Sequence, residues 1–251
     1  MFAPIIDAFA LPSATLVDRR VPKTLLIENG APTAADKRLI RDGIEELRWV
    51  AALKPNLVGI AAWTSPQGSY AEIAVLTATF REQARVPRLV GLIHRAIPYP
   101  LVLLTLSDRS LGLSLAHKRP SQSDSGKTVL DGEIHATPPL DPASSALVPA
   151  FTGSLALHQQ NAADLRQLYQ AWIDHVIALR AAGVTGCYRS LDEPGGSSRV
   201  RDSLDRHDQL ARDIQALRKR AAKERQLNRR VDLNLQIKSL ELELEAIKST
   251  L

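Results

Sequence analysis

Cysteine occurs once in the 251 residues, at Cys187, so no internal disulfide and no cysteine-built zinc cage can form. No uninterrupted apolar run reaches the roughly 18 residues of a membrane helix, and the N-terminal stretch, broken by Asp7 and Pro12, carries no basic leader. Both absences lead to the expectation of a cytoplasmic protein without membrane contact. The six histidines, His94, His117, His135, His158, His175 and His207, include no pair at helical metal spacing. They read as surface or capping residues, and no metal or cofactor is expected. No internal repeat is visible. One more absence organises the chain: residues 203–251 contain neither Gly nor Pro.

That run is rich in Leu, Arg, Lys, Glu, Gln and Ala, all strong helix formers, and nothing in it breaks the backbone hydrogen-bond ladder. A continuous helix over it would be a rod on the order of 70 Å long, too long to bury in a domain of this size. Leu210, Ile214, Leu217, Ala221, Asn228 and Val231 follow the four-and-three steps of a heptad seam, with Glu224 as its polar gap. A second seam, Leu233, Ile237, Leu240, Leu244, Ile247 and Leu251, is displaced by two positions, which turns the stripe by roughly 200°. Leu227, Leu235 and Leu242 continue the first side. The last turns are therefore apolar on two faces, and the helix is either sandwiched between partners or bends back near Val231. A strand is the competing reading, because Leu233, Leu235 and Ile237, then Leu240, Leu242 and Leu244, alternate with period two. Glu, Lys, Gln and Leu favour the helix.

Residues 212–230 hold eight Lys or Arg against Asp213 and Glu224, and Glu241, Glu243 and Glu245 follow. A solvated helix flank accounts for such a run. The functional alternative is that Arg218, Lys219, Arg220, Lys223, Arg225, Arg229 and Arg230 meet phosphates or an acidic partner. No aromatic lies among them to stack a base, which points away from sequence-specific single-strand recognition and leaves backbone contact. The net charge of +5 and a pI near 9.5 agree with this, much of the excess lying in the terminal segment.

A hydrophobic fraction of 45% excludes wholesale disorder. Residues 1–31, broken by Pro4, Pro12, Pro22 and Gly30, allow at most one short helix, near residues 14–19. Thr33 caps the next helix with Asp36 as its capping-box acid. Leu39, Ile40, Ile44, Leu47 and Val50 share a face, so this helix is expected to continue until just before Pro55. A hairpin over 57–64 and 70–80, turned at Ser65-Pro66-Gln67-Gly68, comes next, then a helix over 87–95. A strand pair over 101–106 and 111–116, turned at Asp108-Arg109, and a strand over 129–136 complete the pattern. The fold class is α+β: a small antiparallel sheet with flanking helices, followed by a long C-terminal coiled-coil helix. The expected domains are an α+β globular part over 1–137, a Pro-rich connector plus helix over 138–192, and a coiled-coil arm over 203–251. Asn161 caps the connector's helix and Gly183 stops it, and residues 193–198 form a flexible joint before the arm.

Ser125-Gly126-Lys127-Thr128 ends like a phosphate-binding loop, but Ser121 stands where that motif needs Gly and no helix pattern follows, so the string reads as a polar loop. A carboxylate-type nuclease wants an acid, then an acid and a lysine two apart on the next strand, to hold metal and water. Glu72 is placed for this with Ala74 in the lysine's position, and Asp131 and Glu133 are paired with His135 there. Cys187 reads as buried or inert, and Trp49, Trp63 and Trp172 read as core. No catalytic residue is expected.

Three stretches resemble the start, middle and end of a bacterial family known as a domain of unknown function, number 4391. They are Leu11-Pro12-Ser13 followed by Val21-Pro22-Lys23, then Ile93-His94-Arg95-Ala96-Ile97-Pro98-Tyr99-Pro100, and then the tail Lys223-Glu224-Arg225-Gln226-Leu227-Asn228-Arg229-Arg230-Val231-Asp232-Leu233-Asn234. Members of that family are typically encoded beside DNA helicases and DNA methyltransferases in clusters resembling restriction or anti-phage defence systems. The resemblance implies a subunit of a DNA-targeting defence complex and carries over no catalytic residue. The expected function is a non-catalytic assembly or adaptor subunit. It would dock on a helicase or methyltransferase partner, or on a second copy, through Leu210, Ile214, Leu217, Val231, Leu233, Ile237, Leu240, Leu244 and Ile247. The alternatives are a metal-dependent nuclease subunit using Glu72, Asp131 or Glu133, and a non-specific nucleic-acid-binding module.

Overall fold

The computed structural model describes residues 2–108, 110–122, 124, 126–141, 146–191 and 195–251, which divide into two units, Met1–Val176 and Ile177–Leu251. Arg109, Ser125, Pro142, Glu193 and Pro194, on which parts of the sequence reading fall, lie outside the described residues. Proline opens the first helices instead of breaking them. Pro4 lies in the first turn of α1 (Ala3–Ala8) and Pro22 is the N-cap of α2 (Lys23–Gly30). A first-turn N–H has no helical acceptor, so a ring there costs no bond. Between the two helices residues expected to be helical form β1 (Leu16–Arg20), an edge strand with Leu16 56% exposed.

Thr33 caps α3 (Ala34–Gly43) as the sequence indicates: its hydroxyl accepts the Asp36 N–H at 3.1 Å. The helix does not continue to Pro55, however. Residues from Ile44 onward form β2 (Ile44–Leu53), which pairs antiparallel with β1. Its apolar residues mimic a helical period because the register slips between Ile44 and Glu46 and again between Trp49 and Ala51. A bulge inserts an unpaired residue and breaks the period-two alternation that identifies a strand.

After a short α4 (Pro55–Val58), the expected hairpin shrinks to β3 (Trp63–Ser65) and β4 (Gly68–Tyr70), which pair only with each other. Then come β5 (Ile73–Phe80), α5 (Val86–Ala96), β6 (Leu101–Ser107), β7 (Ser110–Pro120) and β8 (Thr128–Ala136). They complete a six-stranded sheet of order β1-β2-β5-β6-β7-β8. The sheet is mixed, not antiparallel: β5 and β6 run parallel, with α5 as the crossover. Leu26 of α2, Ile40 of α3 and Leu89, Leu92 and Ile93 of α5 pack with Leu76 and Leu103 in one core. Val102, Leu104 and Leu115, which point to the other face, are equally buried, so the sheet is covered on both sides.

In the connector, α6 (Leu147–Gly153) precedes α7 (Leu165–Thr185). Asp164, not Asn161, caps α7, its carboxylate accepting the Gln167 N–H at 2.9 Å. The helix passes Gly183 and ends before Gly186, whose φ of 80° only glycine adopts without strain.

The second unit corrects the single terminal rod. α8 (Gly196–Lys223) starts inside the expected flexible joint, and Glu224-Arg225-Gln226 interrupt the ladder before α9 (Leu227–Lys248) turns back along it. No Gly or Pro was needed for the break. It falls ahead of Val231, where the sequence pattern places the change of side, so Asn228 and Val231 lie in α9, and folding there packs Ile214, Leu217 and Ala221 with Leu233, Ile237, Leu240 and Leu244. Ile214, Ala221 and Ile237 are buried together, with Leu217, Leu233, Leu240 and Leu244 packed around them.

Glycine matters most where α2 meets α5: a Cβ on Gly30 would lie 2.6 Å from the Leu92 carbonyl oxygen and 2.7 Å from Ala96 Cβ. Gly30→Ala should lower stability by about 1–3 kcal/mol, the range of core overpacking. Gly91→Ala, in the same α5 but with nothing within 4 Å of the new methyl, should raise it by up to about 1 kcal/mol through helix propensity. Urea unfolding of the two variants beside the parent checks both signs.

Candidate interaction surface

The bend between α8 and α9 gathers the basic residues that the sequence spreads over thirteen positions, 218–230. Arg218, Lys219, Arg220 and Lys223 end α8, Arg225 lies in the link, and Arg229 and Arg230 open α9; all seven are exposed. Arg218 is neutralised by Glu241 at 2.6 Å. The other six form no salt bridge among the described residues, and Glu224, the acid in their midst, accepts the backbone N–H of Gln226. Gln226 puts no side chain on the first turn of α9, and no acid lies in that turn. Six cations therefore share a helical corner with unoccupied N–H groups and the positive end of a helix dipole.

Of the expected partner-binding residues, Ile214, Leu217, Leu233, Ile237, Leu240 and Leu244 meet one another inside the chain, and Leu210 is fully buried. Ile247 is half-buried. Val231 remains outside with Leu227, Leu235 and Leu242; these four are 47%, 63%, 62% and 67% exposed. At about 100° per residue they fall within an arc of roughly 80°, opposite the seam that faces α8. Asn228, expected in a seam, is exposed.

In the first unit the polar side chains that look like chemistry hold one another. Tyr70 donates to His117 Nδ1 at 2.5 Å, His117 Nε2 donates to Gln170 Oε1 at 2.7 Å, and Gln170 Nε2 donates to Asp174 at 2.7 Å. The Gln170 amide fixes that direction, and both imidazole nitrogens are engaged. Tyr169 accepts from the Ala116 N–H and lies within bonding distance of the Leu101 and Ala116 carbonyls, stitching α7 to β6 and β7 just beyond their last paired residues. Lys118, 4% exposed, donates its ammonium to the carbonyls of His94 and Ile97 at the end of α5, and burial lowers its pKa to about 8. Nothing in the sequence pattern marked Lys118. An exposed-looking strand position simply faces the helix terminus, whose free carbonyls require a donor.

The nearest approach to a catalytic pair is His94 Nε2 and Ser114 Oγ, 3.0 Å apart, with Ser114 in the wall of an apolar cavity of about 600 Å³ beside Val90, Leu113 and Ile134. His94 is not a surface residue. Burial, then the Lys118 charge, lower its pKa to about 3, and its Nδ1 has no partner. A base that weak takes no proton from serine near neutral pH, and no carboxylate orients it. The nuclease candidates are not brought together: Glu72 pairs with Lys54 ahead of β5, while Asp131 pairs with Arg119 and Glu133 lies near His135 on β8. Two strands separate β5 from β8, a distance of roughly 14 Å. Among the described residues no three His, Cys, Asp or Glu side chains form a metal-holding group, and no helix is long and apolar enough to cross a membrane. Cys187 is exposed instead of buried. Trp172 is fully buried, whereas Trp49 and Trp63 are half-covered, Trp63 lying under the Arg166 guanidinium at 4.8 Å.

His94 also gives a pH signature. Unfolded, it binds a proton near pH 6.5; folded, only near 3. Between those values the unfolded chain carries more protons, so stability falls as pH drops below about 6.5, by at most about 1.4 kcal/mol per pH unit from this residue. His94→Gln should be less stable than the parent at pH 7, and the gap should narrow at pH 4.5 in urea unfolding followed by circular dichroism.

No curated protein and no solved structure matches the chain. The family described as "Domain of unknown function (DUF4391)" matches residues 9–244, a span that takes in the sheet, α7 and nearly all of the helical hairpin. The chain belongs to that family.

Proposed function

We propose that the chain is a non-catalytic assembly subunit of a bacterial DNA-targeting complex of the restriction or anti-phage type, and that the C-terminal hairpin is the part that meets other molecules. The observation that carries this reading is the hairpin tip, where Lys219, Arg220, Lys223, Arg225, Arg229 and Arg230 lie exposed without acid partners among the described residues. Spaced cations that no acid pairs and no aromatic accompanies suit a phosphate backbone of any sequence. A helicase or DNA methyltransferase encoded alongside, as the family resemblance implies, is the protein the subunit serves. The cytoplasm, where such a complex meets DNA, is the compartment this reading requires.

DNA binding by the purified chain should weaken steeply with salt, log K falling by roughly 0.9 for each phosphate neutralised. Replacing Arg220, Lys223, Arg229 and Arg230 by Ala should cut the affinity at every sequence tested and shallow the salt slope by about 3–4. The apolar contacts of the hairpin should leave the folded signal unchanged. Binding that the four replacements leave untouched, as read by fluorescence anisotropy across a salt series, would remove this reading.

A further inference from the structure

The apolar cavity beside α5 lies wholly in the first unit and is independent of the hairpin. We infer that it binds a small neutral molecule with an apolar, ring-sized body and one carbonyl-type acceptor at its inner end.

Its position follows from the crossover. β5 and β6 run parallel with α5 between them, and the carboxyl end of β6 meets the first turn of α5 at the cavity. In sheets with parallel crossovers that end is where a crevice is left for ligands. The choice of side chains widens it. Leu101 and Leu103 of β6 face α5 and enter the core, but the next residues on that face are Thr105 and Ser107. Opposite them on β7 stand Gly112 and Ser110, with Ser114 opposite Leu103. These small residues on the sheet side, with Val86, Pro87 and Val90 of α5 and Ile134 of β8 as apolar walls, leave about 600 Å³. Small-molecule sites run from about 300 to 1,000 Å³.

Two hydroxyls inside it have bonds still to make. Thr105 is 8% exposed, and its hydroxyl has no hydrogen-bond partner among the described residues. Gly112 leaves that hydroxyl its room: a Cβ there would lie 2.8 Å from Thr105 Oγ1. Ser114, 3% exposed, has His94 Nε2 at 3.0 Å. His94 Nδ1 has no partner, and a bare lone pair costs less to bury than a bare N–H. The ring proton therefore sits on Nε2 and is donated to Ser114 Oγ, which leaves the Ser114 proton to be given elsewhere. Thr105 and Ser114 are diagonal neighbours on one face of β6 and β7, so one carbonyl oxygen, with two lone pairs, accepts from both.

Charge narrows the class. The described lining holds no Lys, Arg or His, and its one carboxylate, Asp108, is exposed. Neither an anion nor a cation finds a buried counter-charge there. A neutral apolar body, in contrast, displaces water from carbon walls at a gain.

Three naphthalenes of one size test this on the full chain with labelled methyl groups: 2-acetylnaphthalene, 2-ethylnaphthalene and 2-naphthoate. The acetyl compound should shift the Val90 and Ile134 methyl signals saturably. The ethyl compound should bind roughly tenfold more weakly for want of an acceptor, and the naphthoate more weakly again. Thr105→Val keeps the shape and removes one donor, so it should weaken the acetyl compound and leave the ethyl compound unchanged. Ser114→Ala should do the same, with folding checked by circular dichroism. Absence of a saturable shift at Val90 and Ile134 would overturn the site. Equal binding of the acetyl and ethyl compounds to the parent and to Thr105→Val would overturn the acceptor, and tighter binding of 2-naphthoate the neutral class.

Discussion

The parallel pairing of β5 with β6 is the constraint on which the first unit depends. Two parallel neighbours need a crossover, and α5 supplies it, burying Leu89, Leu92 and Ile93 against the sheet. A helix placed there brings two polar ends with it. At its first turn Arg88 makes a two-pronged contact with Asp36 at 2.8 Å, joining α5 to the capped start of α3. The Thr33 hydroxyl, then Arg88, hold the Asp36 carboxyl below its usual range. At its last turn the Lys118 ammonium bonds the carbonyls of His94 and Ile97, and Pro98 follows where the helix can no longer continue. The string from Ile93 to Pro100 that carries the family resemblance is thus the exit of the crossover. His94 and its neighbours answer to packing and hydrogen bonding, and no reaction has to be invoked for them.

The second unit depends on a different constraint. One α-helix with apolar residues on opposite faces cannot satisfy both against a single antiparallel neighbour. α8 covers Leu233, Ile237, Leu240 and Leu244, and Leu227, Val231, Leu235 and Leu242 are left in water. Polar contacts between the helices, Arg206 to Glu243 and Arg218 to Glu241, are exposed and contribute little to stability. Burial of the seam is what holds the hairpin closed, and the same sequence pattern leaves the opposite face exposed.

How much of this was legible depended on whether a signal was local. The Thr33 cap, the helix opened at Pro87 and the strands around residues 101–116 and 129–136 follow from short-range chemistry, and they form as expected. The two apolar sides of the terminal segment were also readable, down to the two-position shift near Val231. The fold-back was open as one of two outcomes, because the period gives the angle of each stripe and not what fills it. β2 was hidden by its bulges, which put Ile44 and Leu47 at a helical spacing. β1 was hidden because an edge strand needs only one apolar face and its partner lies thirty residues away. Lys118 was invisible for a related reason: its acceptors are backbone carbonyls, which no residue type announces.

Polar groups are divided unevenly between the two units. In the first, titratable side chains at depth are bonded to each other or to the backbone, as with Tyr70, His117 and Gln170, or Lys118 and the end of α5. Burial drives Tyr70 up to about 12 and His94 down to about 3, while Lys118, brought down to about 8, is held by the carbonyls of His94 and Ile97. At the hairpin tip the opposite holds: cations stand exposed without an acid paired to them, beside a first turn of α9 that no side chain caps. Such an arrangement is suited to contact by charge, as proposed above. The proposed assembly role draws on that division: the groups left exposed and unpaired at the tip are cations, suited to holding a partner by charge.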